Sequence, residues 1–345
     1  MYNNLMRVGF DISQIAHQGG MATYTKNLAE KLAEDKNIEM RYLYYSFRKP
    51  YRGKLPNVKS LKIPPMLTEP LFNRFRLIPV EKFLGNVDVF HSSDWTQPKT
   101  RAKKVTTYHD VVPLKYPRWS HPKIVEVHKR RLKLVEKEID MVIAVSEATK
   151  HDLLAVSSIP KEKITVIYEG VDERYKPGDK EDVEKFKKKY NLPDKFILAI
   201  GGIGERRNLA RAKEATKGYN LVVTGETLPW IPDEEMPLLY SSAQALLYPS
   251  FYEGFGLPVL EAMACGTPVI TSNVSSLPEV GGEAAVYVDP ENDQEMTKAA
   301  KEVMEDRELR DKLVARGLQQ AKKFTWEKCA EETIKIYKKI VNEIY

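Results

Sequence analysis

Ser250-Phe251-Tyr252-Glu253-Gly254-Phe255-Gly256-Leu257-Pro258-Val259-Leu260-Glu261-Ala262-Met263-Ala264-Cys265-Gly266-Thr267-Pro268-Val269-Ile270 decides the reading of this chain. An apolar run, Ala245 to Tyr248, precedes it and suits a short buried strand. Gly254 and Gly256 then turn the backbone, and Pro258 sits where a first helical turn tolerates a missing N–H. Val259, Leu260, Met263 and Ala264 recur at helical spacing, Gly266 stands at the C-cap, and Val269-Ile270 reads as the next strand. Strand, glycine loop, helix and strand together make an anion site. The free N–H groups and dipole of the helix start point at whatever lies above the loop, and glycine lets the backbone come close to a phosphate. Glu253 and Glu261 flank that loop, and carboxylates accept hydrogen bonds from hydroxyls such as those of a sugar. The plainer alternative leaves both glutamates solvated and gives the glycines only a turning role.

The same stretch resembles the signature of the retaining glycosyltransferases of glycosyltransferase family 4. In that family two glutamates separated by seven residues lie within a pattern that nearly every position from Tyr248 to Glu279 matches. The resemblance implies an α/β protein of two Rossmann-like domains facing across a cleft (the GT-B fold), with a C-terminal helix crossing back to the N-terminal domain. It implies that Glu253 contacts the donor sugar and Glu261 the ribose of a nucleotide sugar. The backbone of Gly254, Phe255, Gly256 and Leu257 would face sugar and diphosphate.

Composition agrees with such a chain. Its 345 residues suffice for two domains, and 42% hydrophobic with 30% charged residues is ordinary for a globular protein. No apolar run approaches the ~18 residues of a membrane span. The start, Met1-Tyr2-Asn3-Asn4-Leu5, does not read as a secretory signal. Two cysteines, Cys265 and Cys329, make neither a disulfide framework nor a zinc site, so a cytoplasmic location is expected. The net charge of +6 is uneven: residues 1–172 carry +10 and the remainder −4. The basic half includes Arg74, Arg76, Lys99, Arg101, Lys103, Lys104 and the run His128-Lys129-Arg130-Arg131. It reads either as solvated faces or as a surface for an anionic lipid leaflet or a phosphate-bearing acceptor, which would bring the protein to the inner face of a membrane. No helix-turn-helix, zinc-finger or aromatic RNA-binding pattern supports a nucleic-acid partner.

In chain order, Arg7 to Phe10 reads as a first strand, followed by Gln18-Gly19-Gly20-Met21-Ala22 and a helix from about Thr23 to Leu32. This second strand–glycine–helix unit resembles the family's first loop and gives Gly19 and Gly20 a place beside the donor diphosphate. Ala22 and Thr23 stand where the family often has Gly and Arg. Met40 to Ser46 reads as a strand, and residues 48–83 have no clear structure. Within them Phe72, Phe75 and Leu77 with Arg74 and Arg76 read either as core or as a lipid-facing patch. Val87 to His91 and Lys104 to Tyr108 are the next strands, each with a histidine at its carboxyl end, where parallel sheets place their ligands. Thr107-Tyr108-His109-Asp110 resembles the family's Thr-x-His-Asp segment, so His109 is the candidate contact to the donor sugar; His91 and Asp94 are weaker candidates. A helix from Lys123 to Asp140, a strand from Met141 to Val145 and a cap at Ser146 follow. Ile164 to Tyr168 then leads into Glu169-Gly170-Val171-Asp172, where the family prefers Asn at the place of Glu169.

The domain boundary is expected near 173/174. The first domain regains a helix from Trp326 to Ile344 (residues 325–345), and residues 174–324 form the nucleotide-sugar-binding domain. That second domain opens with Phe196 to Ile200 and then Gly201-Gly202-Ile203-Gly204-Glu205-Arg206-Arg207-Asn208. Glycines followed by paired arginines at a helix start form a phosphate clamp, since guanidinium forks bind phosphate oxygens bidentately. The resemblance assigns Gly202, Arg206 and Arg207 to the diphosphate, with Arg207 replacing the family's lysine. After the strand Leu221 to Thr224, Thr227-Leu228-Pro229-Trp230-Ile231 runs straight to Pro232, where relatives have another helix and strand near the nucleotide base. Trp230 reads either as a ring that stacks on a base or as a buried or edge tryptophan.

The expected activity is transfer of a hexose of mannose or glucose type from a nucleotide-diphosphate sugar. The acceptor hydroxyl would belong to a glycan, a lipid-linked sugar or a small molecule, and the anomeric configuration would be retained. Arg206, Arg207 and the helix start would stabilise the leaving charge, with Glu253 and His109 positioning the sugar. No Asp-x-Asp pair occurs, so no metal or other cofactor is expected. An epimerase or hydrolase of the same fold, or a non-catalytic sugar-nucleotide binder, stands as the alternative.

Overall fold

The structure, a computed structural model, describes residues 5–342 apart from 18 and 203. Met1 to Asn4, Gln18, Ile203 and Ile344 of the expectations above lie outside the described residues. The chain divides into two compact units. The first runs to Gly170 and resumes at Trp326; the second is Val171–Thr325.

The first unit holds a seven-stranded, wholly parallel sheet in the order β3-β2-β1-β4-β5-β6-β7. The strands are β1 (Met6–Asp11), β2 (Ile38–Tyr45), β3 (Val58–Leu61), β4 (Val89–Ser92), β5 (Lys103–Tyr108), β6 (Met141–Ala144) and β7 (Ile164–Val166). A parallel sheet is covered on both faces, so its strands are continuous buried runs rather than alternating ones; all four residues of β4 and of β6 are buried. Register aligns Phe10 with His91 and Thr107 with Ile143. The order reverses between β1 and β4, which sets the crevice at their carboxyl ends. The helix after β1 is Gly20–Ala33, starting three residues before the expected Thr23, because Gly19, at φ 99°, is itself the N-cap. Ser146 caps the helix Glu147–Val156, its Oγ accepting from Thr149 N at 3.0 Å.

Residues 48–83 acquire definite structure. A Pro65–Glu69 helix continues into a wide turn, Pro70–Phe75, that stops where Arg76 adopts φ 50°. Phe72 is core, while Phe75 and Leu77 are exposed, so the two readings of this segment divide between its residues. The basic run of the Pro122–Glu138 helix also divides. Arg131 is wholly buried, pairs with Asp94 at 3.0 Å and lies 3.8 Å over the Tyr108 ring. His128 is buried too, and Arg130 pairs with Glu69. Only Lys129 of this run fits the expected solvated face without qualification.

The last helix, Trp326–Asn342, belongs to the first unit and packs beside Gly20–Ala33. Trp326, Ala330, Thr333, Tyr337 and Ile340 form its buried stripe at helical spacing. Lys31 pairs with Glu327 at 2.7 Å, and Tyr337 Oη lies 2.6 Å from His91 Nδ1.

The second unit holds a five-stranded parallel sheet in the order β12-β11-β10-β8-β9. The strands are β8 (Ile197–Ala199), β9 (Leu221–Val223), β10 (Ala245–Tyr248), β11 (Val269–Ser272) and β12 (Ala285–Val288). The order reverses between β8 and β10, so the crevice falls where the Gly201 loop and the Ser250–Glu253 segment leave the sheet. Ile197, Leu247, Ile270, Val288, Met296 and Val303 form one core cluster beneath it.

Candidate active site

Each strand at the second unit's reversal point ends in a loop that only particular residues permit. A Cβ on Gly201 would run into the Thr224 carbonyl oxygen, and Gly201 N donates to Thr224 Oγ1 at 2.8 Å. Arg206 and Arg207 lie in a single 3₁₀ turn, Glu205–Arg207, one step before the helix rather than at its start. Asn208, left-handed at φ 57°, separates that turn from the helix Leu209–Ala215. On the other strand, Gly256 holds φ 112° as N-cap of the Leu257–Ala264 helix, with Pro258 in its first turn. The backbone N–H groups at this helix start carry the partial positive charge of the dipole.

These loops bring Glu253, Arg206 and Arg207 together. Glu253 is 6% exposed. It accepts from Tyr248 Oη at 3.0 Å, and Arg207 Nη1 stands 3.2 Å and Arg206 Nη1 3.9 Å from its oxygens. Arg207 Nη1 is buried and makes no hydrogen bond of its own, so its approach to Glu253 is one of charge rather than of aligned donor and acceptor. The guanidinium also lies 4.8 Å from the centroid of the Tyr248 ring. Burial lowers the Arg207 pKa, Glu253 opposes that shift and Arg206 adds to it. The Glu253 backbone is fixed by its N–H donating to Ser275 Oγ at 3.0 Å. Ser276 Oγ serves the carbonyls of Glu253 and Phe255 at 2.9 and 2.7 Å. Gly202 lies against the Arg207 side chain, and Gly254, Phe255 and Leu257 are buried along the loop.

Glu261 is held apart from the arginines by its own shell. Tyr240 Oη donates to it at 2.8 Å, and Tyr175 also hydrogen-bonds it. Burial pushes its carboxyl up to about 7, with the Tyr240 and Tyr175 hydrogen bonds and Arg174 pulling the other way. At the end of β9 the shortened segment closes as a tight turn, with Gly225 N donating to Leu228 O at 2.6 Å. Trp230 lies against Gly225 with 67% of its surface exposed, so it does not close the sheet as a buried residue.

In the first unit His109 follows β5. Its Nδ1 lies 3.1 Å from Glu169 Oε1, and its ring meets Tyr24 edge-on at 4.6 Å. Burial alone would lower its pKa; the hydrogen bond and charge of Glu169, aided by Asp94 and Asp110, outweigh it and raise the value. His91 is different: burial pushes it down to about 3, and Tyr337 and Thr107 occupy both ring nitrogens. It is a neutral core histidine, and Asp94 is committed to Arg131. Gly19 and Gly20 are exposed at the start of their helix. Among the described residues no three His, Cys, Asp or Glu side chains converge as a metal-ligand set. The sequence reading missed the part that Tyr248, Ser275, Ser276, Tyr240 and Tyr175 play in holding the two glutamates. It registered Glu169 as a departure without its partner.

Comparison with known proteins gives the class. The model described as Glycosyltransferase Family 4 matches residues 18–175, and that described as Glycosyl transferases group 1 matches residues 150–320. Together they span nearly the whole chain, which belongs to this glycosyltransferase family and is a transferase enzyme of the GT-B fold. Among its relatives, "O-antigen chain mannosyltransferase B" of Escherichia coli is 28% identical over 92% of this chain and 96% of the relative. "O-antigen chain mannosyltransferase RfbU" of Salmonella typhimurium is 31% identical, over 64% of this chain and 65% of the relative. Among solved structures, a sucrose-phosphate synthase from Thermosynechococcus elongatus superposes with a TM-score of 0.79 at 19% identity. That match covers 98% of this chain and all of that one.

Proposed function

We propose that the protein transfers a hexosyl group of mannose type from a nucleotide-diphosphate sugar to an acceptor hydroxyl, with retention of anomeric configuration. The observation that carries this is the convergence of Arg206 and Arg207 on Glu253 at the reversal point of the second unit's sheet. Breaking the bond from sugar to diphosphate develops negative charge on the leaving oxygen. Two fixed guanidinium groups and the N-terminus of the Leu257–Ala264 helix stabilise that charge without reorganising, which is the most effective form of such assistance. Glu253, held by Tyr248 and the two serines, accepts from hydroxyls of the transferred sugar, and Glu261 accepts from those of the ribose. Phe255 and Leu257 shape the loop. Gly19, Gly20, Gly202, Gly254 and Gly256 leave the backbone open to the diphosphate. His109 donates to a sugar hydroxyl, and the leaving phosphate takes the proton of the attacking acceptor. The mannose preference rests on the names of the relatives. The reaction is proposed to need no metal, the arginines supplying the positive charge; loss of activity in EDTA with recovery on adding Mg²⁺ or Mn²⁺ would overturn that part.

The test is a thermal-shift panel of GDP-, UDP- and ADP-sugars followed by product analysis. A ligand present at 100 times its Kd stabilises the native state by about 2.7 kcal/mol. One of the nucleotide sugars should raise the melting temperature, and a glycosylated product should appear with the α or β configuration of the donor. Donor consumed without acceptor would favour the epimerase or hydrolase reading instead. The acceptor is proposed to be a glycan, lipid-linked or small-molecule hydroxyl. No described helix is long and apolar enough to cross a membrane. Met66, Leu67, Phe75 and Leu77 nevertheless leave large apolar side chains exposed, and Arg74 lies over the Phe75 ring, which supports peripheral contact with an anionic membrane face. Co-sedimentation with anionic vesicles should fall when Phe75 and Leu77 become serine.

A further inference from the structure

A cavity of about 240 Å³ opens in the first unit between the Gly20–Ala33 helix and the loop that follows β2. It lies at the carboxyl edge of the parallel sheet, the edge where such sheets bind ligands. Ile15 and Ala16, in the turn between β1 and the Gly19 loop, form part of its wall. Its volume is just under the ~300 Å³ at which drug-sized sites begin, which suits a single sugar ring or a phosphate on a short arm.

The wall is built rather than loose. Tyr44 Oη donates to Lys49 O at 2.6 Å, and Lys49 N donates to Ser46 Oγ at 3.2 Å. Leu55 N donates to Tyr51 Oη at 3.1 Å, and the Tyr44 and Tyr51 rings lie 5.4 Å apart. Gly53 passes so close to Tyr51 that a Cβ there would strike the phenol oxygen. The loop is tied back at its far end, where Tyr42 N donates to Asn57 O at 3.1 Å.

Three cations line this cavity: Lys26, Lys49 and Arg52, against the single carboxylate of Glu30. None of the three forms an ion pair among the described residues. Cations elsewhere in the unit commonly do: Arg7 with Asp88, Arg76 and Lys104 with Glu138, Lys115 with Asp152, Arg130 with Glu69. Unpaired positive charge is thus gathered at one concave place, which Tyr44 and Tyr51 also line. Guanidinium and ammonium groups bind phosphate oxygens through charge-assisted hydrogen bonds, the partly exposed Tyr51 on the wall gives a sugar ring an apolar surface to pack on, and Glu30 accepts from sugar hydroxyls.

We propose that this cavity is an acceptor subsite that recognises a phosphate group attached to the acceptor sugar, with Lys26, Lys49 and Arg52 as the phosphate ligands. The inference rests on the transferase reading above and deepens it by giving the acceptor a chemical class. The phosphate is either that of a free sugar phosphate or that of a lipid headgroup.

The experiment uses the full chain with saturating nucleoside diphosphate, so that the second unit's arginines are occupied. Calorimetry compares mannose 1-phosphate with methyl mannoside, and sedimentation compares phosphatidylcholine vesicles with and without phosphatidic acid. The wild type should bind mannose 1-phosphate at least about tenfold more tightly than methyl mannoside, the size of one charge-assisted hydrogen bond. The Lys49→Ala/Arg52→Ala variant, altered only on the exposed loop, should lose that preference; Lys26→Ala, on the helix, provides a second, independent loss. Binding confined to phosphatidic acid vesicles, and abolished in the variants, assigns the phosphate to a lipid headgroup and equally supports the subsite. Equal affinity for the two sugars with no vesicle preference overturns the proposal, as does a phosphate preference unchanged in both variants. Should a nucleotide sugar stabilise the protein while these tests fail, only the subsite falls; should no nucleotide sugar bind, the transferase reading falls with it.

Discussion

The carboxyl of Glu261 gives the sharpest test of the donor site. Burial pushes it up to about 7, so in the free protein it is half protonated near neutrality. A carboxylate accepts two ribose hydroxyls, whereas a protonated carboxyl has one acceptor position converted to a donor. If only the ionised form is competent, apparent affinity scales with the ionised fraction, which rises from about 0.09 at pH 6 to about 0.91 at pH 8. Donor affinity should therefore strengthen about tenfold over that interval. The assay is calorimetric titration with the nucleotide sugar found in the thermal-shift panel, whose doubly esterified diphosphate does not itself titrate there. Glu261→Gln should bind more weakly at pH 8 and show a flat profile. The same shift makes a claim about stability. A folded pKa above the unfolded one means stability that is complete below about 4.5 and lost as pH rises through about 7. The ionised fold then carries a cost of roughly 3 kcal/mol at about 1.4 kcal/mol per pH unit. Glu261→Gln should accordingly gain melting temperature relative to the wild type at pH 8 and not at pH 5. A wild-type affinity that is flat from pH 6 to 8, or an identical slope in Glu261→Gln, would refute the assignment of the ribose to this carboxylate.

Arg206→Ala should weaken nucleotide binding with little effect on folding, because its guanidinium is 27% exposed and 3.9 Å from Glu253. Arg207→Ala should also lower stability, by about 2 kcal/mol in denaturant titration, since it leaves the buried Glu253 with one distant cation. Glu253→Ala should reduce kcat more than donor affinity; equal losses of affinity in Arg206→Ala, Glu261→Ala and Glu253→Ala would contradict the separate roles. Trp230→Ala should cost about 1–3 kcal/mol of nucleotide affinity if its exposed ring stacks on the base, and nothing if the ring only covers Gly225. In Glu169→Gln the His109 pKa should fall. His109 is raised, so its pairing contributes stability that is full below about 6.5 and lost as pH rises through the folded value. The alkaline limb of kcat/KM should move to lower pH in this variant, and an unmoved limb would remove His109⁺ from the reaction.

How far the sequence speaks here depends on the range of the interaction concerned. The strands are legible because a two-sided parallel sheet demands unbroken apolar runs: Ala245–Tyr248 is expected and observed at the same residues. The glycine loops are legible because backbone conformation is a local property, and Gly256 at φ 112° admits little else. Side-chain pairing across strands is not local, and there the reading thins. Arg131 looks like one more member of a basic run; nothing near it in sequence announces that Asp94 and the Tyr108 ring lie beside it inside the core. Residues 48–83 are opaque for the same reason, their shape being set by contacts such as Phe72 with Tyr45 rather than by periodicity. The most instructive position is Glu169, which departs from the family pattern on paper yet in the structure faces His109 at 3.1 Å. A histidine at the end of a strand is a donor whose charge depends on its neighbour. Placing a carboxylate opposite it, 60 residues away in the chain, moves it toward the imidazolium without altering the motif that drew attention to it. Sequence motifs therefore mark which groups stand at the site, while their protonation is written in the partners that only folding supplies.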